Sequence, residues 1–157
     1  MTRFDLSPPS SPERSRLEAD LTPEEAEVLL RHGTEAPFCG LLLTEHRTGV
    51  FTCRLCGLPL FLGGQKFESG TGWPSFTAPF AREHLREERD ASHGMVRTEL
   101  LCARCGSHQG HVFPDGPPPS GLRYCINSLS LAFTPAGEPL PDKLGRGAPE
   151  GAPFTSS

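Results

Sequence analysis

Apolar and polar positions alternate over short stretches of this chain, which is the pattern of strands with one buried face. Leu129, Leu131 and Phe133 show the alternation clearly, because polar or small residues separate them. Further short apolar runs lie between turn-forming residues. They are predicted as strands at 41–44, 49–52, 58–62 and 95–101. The pattern therefore predicts a mainly β protein.

One helix is predicted ahead of these strands. Thr22 is a suitable N-terminal cap, Pro23 fits the first helical position, and Glu24 and Glu25 place carboxylates in the first turn. The helix should end at Gly33, since glycine commonly follows the last turn.

The two ends of the chain differ in composition from its middle. Residues 1–20 combine Ser-Pro pairs with mixed charge, so we expect a flexible arm there. Residues 137–157 are rich in proline and glycine and are expected to form a loosely held tail. Residues 21–136 are left as the folded domain.

Charge and composition exclude several classes of protein. The 157 residues carry a net charge of −4 without a basic block, which argues against nucleic acid as the main partner. The chain lacks an apolar run near the roughly 18 residues that span a bilayer, and its N-terminus lacks the apolar core of a signal peptide. We expect a soluble cytoplasmic protein, and since no stretch demands a partner, a monomer.

Four of the six cysteines form two pairs with the same spacing. The pairs are Cys53 with Cys56 and Cys102 with Cys105, and a glycine directly follows the second cysteine of each pair. In a cytosolic chain, two such pairs are typical of one structural zinc ion, Zn²⁺, held by four thiolates. The alternative is a redox-active pair, which the matched glycines make less favourable.

A fifth cysteine, Cys125, is a candidate nucleophile. Residues two apart on a strand point to one face, so Arg123, Cys125 and Asn127 would project together. The Arg123 cation would favour the thiolate and lower the pKa of Cys125. The alternative is a small buried side chain in a core strand.

Two histidines and a tryptophan add candidate chemistry. His108 and His111 have a spacing that suits either a metal or proton transfer, and proton transfer is favoured because four sulfurs already supply a zinc shell. The alternative is that both histidines only lie at a loop surface. Trp73 lies in a glycine-rich loop and forms either a pocket wall, which we favour, or part of the core.

Four motifs in order resemble the type B peptide-methionine (R)-S-oxide reductases (the MsrB family), and the two cysteine pairs match its zinc-binding members. These motifs are the segments 70–76, 92–95, 110–113 and 123–128, and the likeness runs from about Leu21 to Pro135. The resemblance implies two small antiparallel sheets, the β-tent of this family, with the zinc remote from the active site. It also implies reduction of methionine R-sulfoxide in oxidised proteins or peptides, with thioredoxin as the reductant.

The resemblance also assigns roles to individual residues. Cys125 would attack the sulfoxide sulfur and be left as a sulfenic acid, while His111, with His108 beside it, would protonate the oxygen. Asn127 would orient one imidazole. Arg123 and Asp115 would form a charge pair. Trp73 and Phe113 would form an apolar wall for the S-methyl group of the substrate.

At one position the chain departs from the commonest family pattern. Many members carry at position 71 the cysteine that resolves the sulfenic acid, and this chain has Thr71. Some members place that cysteine elsewhere, so we hypothesise that Cys39 forms a disulfide with Cys125, which thioredoxin reduces. The alternative is a one-cysteine enzyme that thioredoxin, glutathione with glutaredoxin, or another thiol reduces directly.

A zinc-ribbon binding module without redox activity is the competing class, because fold and zinc alone do not decide function. Such a module would have no need for Cys125, or for the histidines, the amide and the tryptophan that accompany it. These side chains favour the enzyme.

Overall fold

A computed structural model describes residues 4–38, 40–91 and 94–146. Residues 1–3, Cys39, Ser92, His93 and residues 147–157 therefore lie outside the described part, and with them the hypothesised resolving cysteine. The described chain has two helices, α1 (Ser11–Ala19) and α2 (Pro23–Arg31). Its nine strands are β1 (Gly49–Cys53), β2 (Pro59–Leu62), β3 (Lys66–Phe67), β4 (Ser75–Phe76), β5 (Leu85–Asp90), β6 (Arg97–Cys102), β7 (His108–Phe113), β8 (Arg123–Ile126) and β9 (Leu131–Pro135).

The strands form two antiparallel sheets. The smaller has the order β2-β1-β9, and the larger has the order β3-β4-β8-β7-β6-β5. A mainly β fold of two small antiparallel sheets is therefore confirmed. Within the described residues, no helix is long and apolar enough to cross a membrane.

The helix predicted after Thr22 is present. The Thr22 hydroxyl accepts from the Glu25 backbone N–H at 3.1 Å, and the Glu25 carboxylate accepts in return from the Thr22 N–H at 2.9 Å. The helix ends at Arg31, and His32 follows in the left-handed conformation at φ 57°. The termination thus falls on His32, one residue before the predicted glycine.

A second helix lies where sequence analysis predicted a flexible arm. In α1, Ser10 and Glu13 form the same reciprocal cap that starts α2, and Leu17 is buried. Phe4 packs edge-on against His84 with ring centroids 5.4 Å apart. The cap sequence Ser-Ser-Pro-Glu carried the helix signal, and the Ser-Pro composition concealed it.

The segment 41–44 is a turn rather than the predicted strand. The Lys66 ammonium donates to the carbonyl oxygens of Leu43 and Glu45 at 2.7 and 2.9 Å, so these acceptors are satisfied without a neighbouring strand. The strand predicted from Leu129 onward starts two residues later. Ser128–Ser130 is a short 3₁₀ turn, and β9 begins at Leu131.

The first part of the C-terminal segment packs on the folded domain. Leu140 and Leu144 are buried, and the Lys143 ammonium donates to the Arg54 carbonyl at 2.6 Å. Composition alone did not predict these contacts, because they depend on a lysine that reaches a carbonyl 89 positions away.

The core lies between the two sheets and combines leucine side chains with a cluster of aromatic rings. Phe61 of the smaller sheet stacks on Phe76 of the larger at 4.3 Å between ring centroids, and Phe51 meets Phe76 edge-on at 5.1 Å. From β8, Tyr124 and Ile126 point into this core. Because side chains alternate along a strand, the core contacts turn Arg123 and Cys125 to the opposite face.

Matched leucine truncations test this core. Leu60→Ala removes a fully buried side chain and should lower the free energy of unfolding by about 2–5 kcal/mol. Leu41→Ala removes a side chain that is 93% exposed and should change it by about 0.5 kcal/mol or less. Denaturant titration of both variants measures the difference, and equal losses would contradict the described burial.

Candidate active site

The pairing of β7 with β8 places His111 directly opposite Cys125. One step along the same face, Phe113 lies opposite Arg123. Gly110 allows the close approach, since a Cβ added there would lie 2.0 Å from the Cys125 carbonyl oxygen. The thiol and the imidazole therefore share one face of the larger sheet.

Most of the predicted site residues line one cleft of about 260 Å³ on that face. The lining includes Cys125, His111, Arg123, Asn127, Trp73 and Phe113, together with Thr34, Thr71, Arg97, Gly110 and Ile126. Asp115 is exposed beside the cleft, and His108 is almost completely buried behind it. The arrangement supports a cleft wall, rather than a core plug, for the tryptophan.

The Cys125 thiol is harder to ionise than the sequence indicated. Burial raises the pKa of Cys125 above the usual range of a cysteine, while Arg123 and the Thr71 side chain lower it by less. The direction of this shift is opposite to the predicted lowering. Desolvation depends on tertiary packing, which the neighbouring arginine in the sequence did not reveal.

Arg123 shares its charge with two other groups. Its guanidinium donates two hydrogen bonds to the Asp115 carboxylate, at 2.9 and 3.1 Å, and lies 4.4 Å from the centre of the Phe113 ring. The predicted pair with Asp115 is thus present. The same pair lowers the pKa of Asp115. Because the carboxylate offsets the charge of Arg123, the cation has a weaker effect on the pKa of the Cys125 thiol.

A carboxylate lies behind each of the two histidines. His111 Nε2 is 2.8 Å from Asp90 Oδ2, and Arg97 donates to the same oxygen at 3.2 Å. His108 Nδ1 is 2.7 Å from Glu99 Oε2, although burial dominates and lowers the pKa of His108.

His32, to which the sequence analysis assigned no role, also hydrogen-bonds Glu99 Oε2 through Nδ1. The rings of His32 and His108 lie 5.3 Å apart. The sequence offered only a weak signal for Glu99, a carboxylate directly before the apolar half of β6. For Asp90 and His32 we find no signal in the sequence, because their partners are distant along the chain.

Asn127 does not orient an imidazole in this structure. Its Oδ1 accepts from the Glu35 backbone N–H at 3.0 Å, and its Nδ2 donates to the Gln109 carbonyl at 3.2 Å. The amide instead ties β7 to the segment that follows α2.

Glu35, a residue that sequence analysis missed, supports the opposite wall of the cleft. Its carbonyl accepts from Trp73 Nε1 at 2.9 Å, and its Oε1 accepts from the Leu129 N–H at 2.9 Å. The buried Glu35 therefore positions both the tryptophan and the turn after β8.

The four paired cysteines form a buried cluster that can hold a metal ion. The four sulfur atoms all lie within 4.8 Å of one another. The sulfurs of Cys53 and Cys105 are 3.6 Å apart, and those of Cys56 and Cys102 are also 3.6 Å apart. Tetrahedral coordination with metal–sulfur bonds of about 2.3 Å requires sulfur separations of about 3.8 Å, so the donor set fits.

The same turn builds both halves of this cluster. The Gly57 N–H donates to the Cys53 carbonyl at 2.8 Å, and the Gly106 N–H donates to the Cys102 carbonyl at 2.8 Å. One turn follows β1 in the smaller sheet and the other follows β6 in the larger, so the cluster joins the two sheets.

A β fold with a thiol and an imidazole in one cleft, and with four further thiols gathered in a buried cluster, defines a protein of the cysteine-enzyme class. The SelR domain matches residues 21–135 of the chain. The chain therefore belongs to the SelR (MsrB) family, and the resemblance predicted from its motifs is confirmed.

Several relatives carry the name peptide methionine sulfoxide reductase MsrB. The Caulobacter vibrioides protein is 70% identical over 144 residues, which cover 92% of this chain and 91% of that protein. The Xylella fastidiosa protein is 61% identical over 144 residues, covering 92% and 93%. The Thiobacillus denitrificans protein is 56% identical over 117 residues, covering 74% and 89%.

The pH dependence of alkylation tests the electrostatics of Cys125. Its reaction with iodoacetamide, followed by mass spectrometry of the Cys125 peptide, should rise with pH to a midpoint above that of glutathione, because burial raises the pKa. Arg123→Gln should move the midpoint further up, since the cation favours the thiolate.

Arg89→Gln, which removes an exposed cation from β5, is the matched control and should leave the midpoint in place. A wild-type midpoint below that of glutathione would show that Arg123, rather than burial, dominates.

Proposed function

We propose that this protein reduces the R epimer of methionine sulfoxide in oxidised proteins and peptides, with Cys125 as the nucleophile. The observation that carries the proposal is the position of Cys125 opposite His111 in a cleft that Trp73 and Phe113 also line. The names of the relatives support the same substrate class.

In the first step the sulfoxide enters with its S-methyl group against Trp73 and Phe113. The Cys125 sulfur attacks the sulfoxide sulfur, and the oxygen passes to the Cys125 sulfur as the sulfur–oxygen bond of the substrate breaks, which releases a thioether and leaves a sulfenic acid. The thiol proton ends on the transferred oxygen, so the step is balanced without an outside proton.

His111 is the group best placed to hold that proton between the thiol and the oxygen. It faces Cys125 across the strand pair, and the Asp90 carboxylate holds its Nε2 at 2.8 Å. This role suits a thiol whose pKa burial raises, because a base beside it can take the proton when the substrate arrives. His108 acts behind His111, at 5.6 Å between ring centroids.

In the second step the Cys39 thiol attacks the sulfenic acid, so that a Cys39–Cys125 disulfide forms and water leaves. Residues on the same loop support this route, since the Phe38 N–H donates to the Gly72 carbonyl at 2.7 Å, next to Thr71 in the cleft. A thioredoxin dithiol then reduces the disulfide and is itself oxidised.

One structural Zn²⁺ on Cys53, Cys56, Cys102 and Cys105 completes the proposal. The ion supplies no chemistry to the reaction and cross-links the two sheets. A reducing compartment such as the cytoplasm would keep these thiols available and supply thioredoxin. One copy of this chain supplies every residue of the proposed site, so the protein is sufficient as a monomer and needs only thioredoxin as a partner.

A disulfide map after a single turnover tests the mechanism. Reduced protein is mixed with N-acetyl-methionine R-sulfoxide without reductant and digested for mass spectrometry, with the S epimer as the control. The R epimer alone should give a Cys39–Cys125 disulfide. Cys39→Ser should leave oxidation confined to Cys125 and lower thioredoxin-supported turnover at least about tenfold.

Two outcomes would contradict parts of the proposal. Unchanged turnover in Cys39→Ser would leave a one-cysteine enzyme that an external thiol reduces directly. Absence of reaction at Cys125 in folded, zinc-loaded protein would rule out the proposed reductase activity and favour a zinc-binding module.

Metal analysis tests the four-cysteine cluster. Purified protein should contain one zinc per chain, and Cys56→Ser should lose most of it and unfold at a lower temperature, because metal binding stabilises the folded state. Cys39→Ser is the matched control and should keep both the zinc and the melting temperature. Full zinc content in Cys56→Ser would place the metal elsewhere.

A further inference from the structure

A second group of metal-ligating side chains lies outside the four-cysteine cluster. His32, Glu99 and His108 each offer one donor atom, and the three atoms lie within 4.8 Å of one another. Both histidines hydrogen-bond through Nδ1 to the same carboxylate oxygen, Glu99 Oε2. The three residues come from the end of α2, from β6 and from β7, so the fold itself brings them together.

Two imidazoles and one carboxylate are a donor set suited to divalent transition metals. Imidazole suits zinc, nickel, copper and iron, and three protein ligands leave positions open for water or another group. Glu99 and His108 are buried, whereas the His32 side chain is 56% exposed, so an ion can enter from solvent past His32. The three ligands border a cavity of about 260 Å³, which offers room for water on the open positions.

The charge around the cluster favours a cation. Arg97 also borders the cavity, but it donates to the Asp90 carboxylate at 3.2 Å, so a neighbouring negative charge offsets its own. Glu99 supplies the negative charge among the three ligands. His32 also caps the C-terminus of α2, where the free carbonyl groups carry partial negative charge.

The backbone at His32 adds an independent observation. Its φ of 57° lies in the left-handed region, which few residues other than glycine adopt, and Gly33 follows immediately. Histidine is one of the few residues other than glycine that tolerate this conformation, and here its imidazole meets Glu99.

We propose that His32, Glu99 and His108 form a second, exchangeable site for a divalent transition-metal ion, and that an ion bound there inhibits the reductase. Binding would hold His108 in the metal shell, 5.6 Å from the His111 ring, and withdraw it from the cleft chemistry. The binding follows from the geometry alone, whereas the inhibition rests on the proposed function.

Cobalt titration of the reduced, zinc-loaded protein tests the binding. Calorimetry should detect one Co²⁺ per chain beyond the resident zinc, and the cobalt spectrum should lack the charge-transfer band of a cobalt–thiolate bond. His32→Asn should weaken this binding about tenfold or more, because it removes one ligand while asparagine still tolerates the left-handed conformation.

His46→Asn is the matched control. His46 is also an exposed histidine that meets a glutamate, with Nε2 3.3 Å from Glu68, and its replacement should leave cobalt binding unchanged. Absence of an additional Co²⁺, a cobalt–thiolate band, or equal binding by His32→Asn would each overturn the second site.

Reductase assays test the inhibition separately, with the rate of each variant divided by its own rate without added metal. Added Co²⁺ should lower this ratio in the wild type and in His46→Asn, and at the same concentration it should leave the ratio near one in His32→Asn. Binding without any loss of rate would overturn the inhibition. Absence of sulfoxide reduction before metal is added would instead contradict the proposed function, with calorimetry still reporting on the site.

Discussion

The antiparallel pairing of β7 with β8 is the constraint on which the rest of the site depends. It places His111 opposite Cys125 and Phe113 opposite Arg123, so one pair of strands carries the thiol, the imidazole and their neighbours. The register is fixed from the other face, where Tyr124 and Ile126 are buried in the core. A slip of one residue would bury Cys125 and expose the aromatic ring, so core packing and site geometry are the same requirement.

The four-cysteine cluster supports that register from a distance. Its two turns follow β1 and β6, which belong to different sheets. Arg104, in the second turn, donates to the Cys56 carbonyl in the first at 2.8 Å, so the turns contact each other through protein atoms as well. With Phe61 and Phe76 stacked between the sheets, this cluster limits how far the larger sheet can shift against the smaller.

Local pattern was sufficient for the features that depend on residues close in sequence. The period of two predicted that Arg123 and Cys125 share a face, and the repeated Cys-x-x-Cys spacing predicted the buried cluster. The capping box of α1 was equally local, but the prolines around it favoured a disordered segment.

Features that depend on distant partners were outside the reach of local pattern. Asn127 bonds the backbone of Glu35, 92 positions away, and Glu99 bonds His32, 67 positions away. The pKa of Cys125 belongs to the same group, because the packing around the thiol decides how much solvent it loses.

The two carboxylate–histidine pairs differ in a way that separates their roles in the proposed reaction. The charge of Asp90 is divided between His111 and Arg97, so the carboxylate holds His111 in place without a large unbalanced charge beside the cleft. Glu99 faces His32 and the buried His108 instead, and burial lowers the pKa of His108. In the proposed reaction the proton that leaves Cys125 passes to His111, which faces the thiol across the strand pair, while Glu99 holds His108 behind it. The same division leaves Glu99 with the charge and geometry to attract a metal ion, so the arrangement that holds the second histidine is also the one through which the site can be blocked.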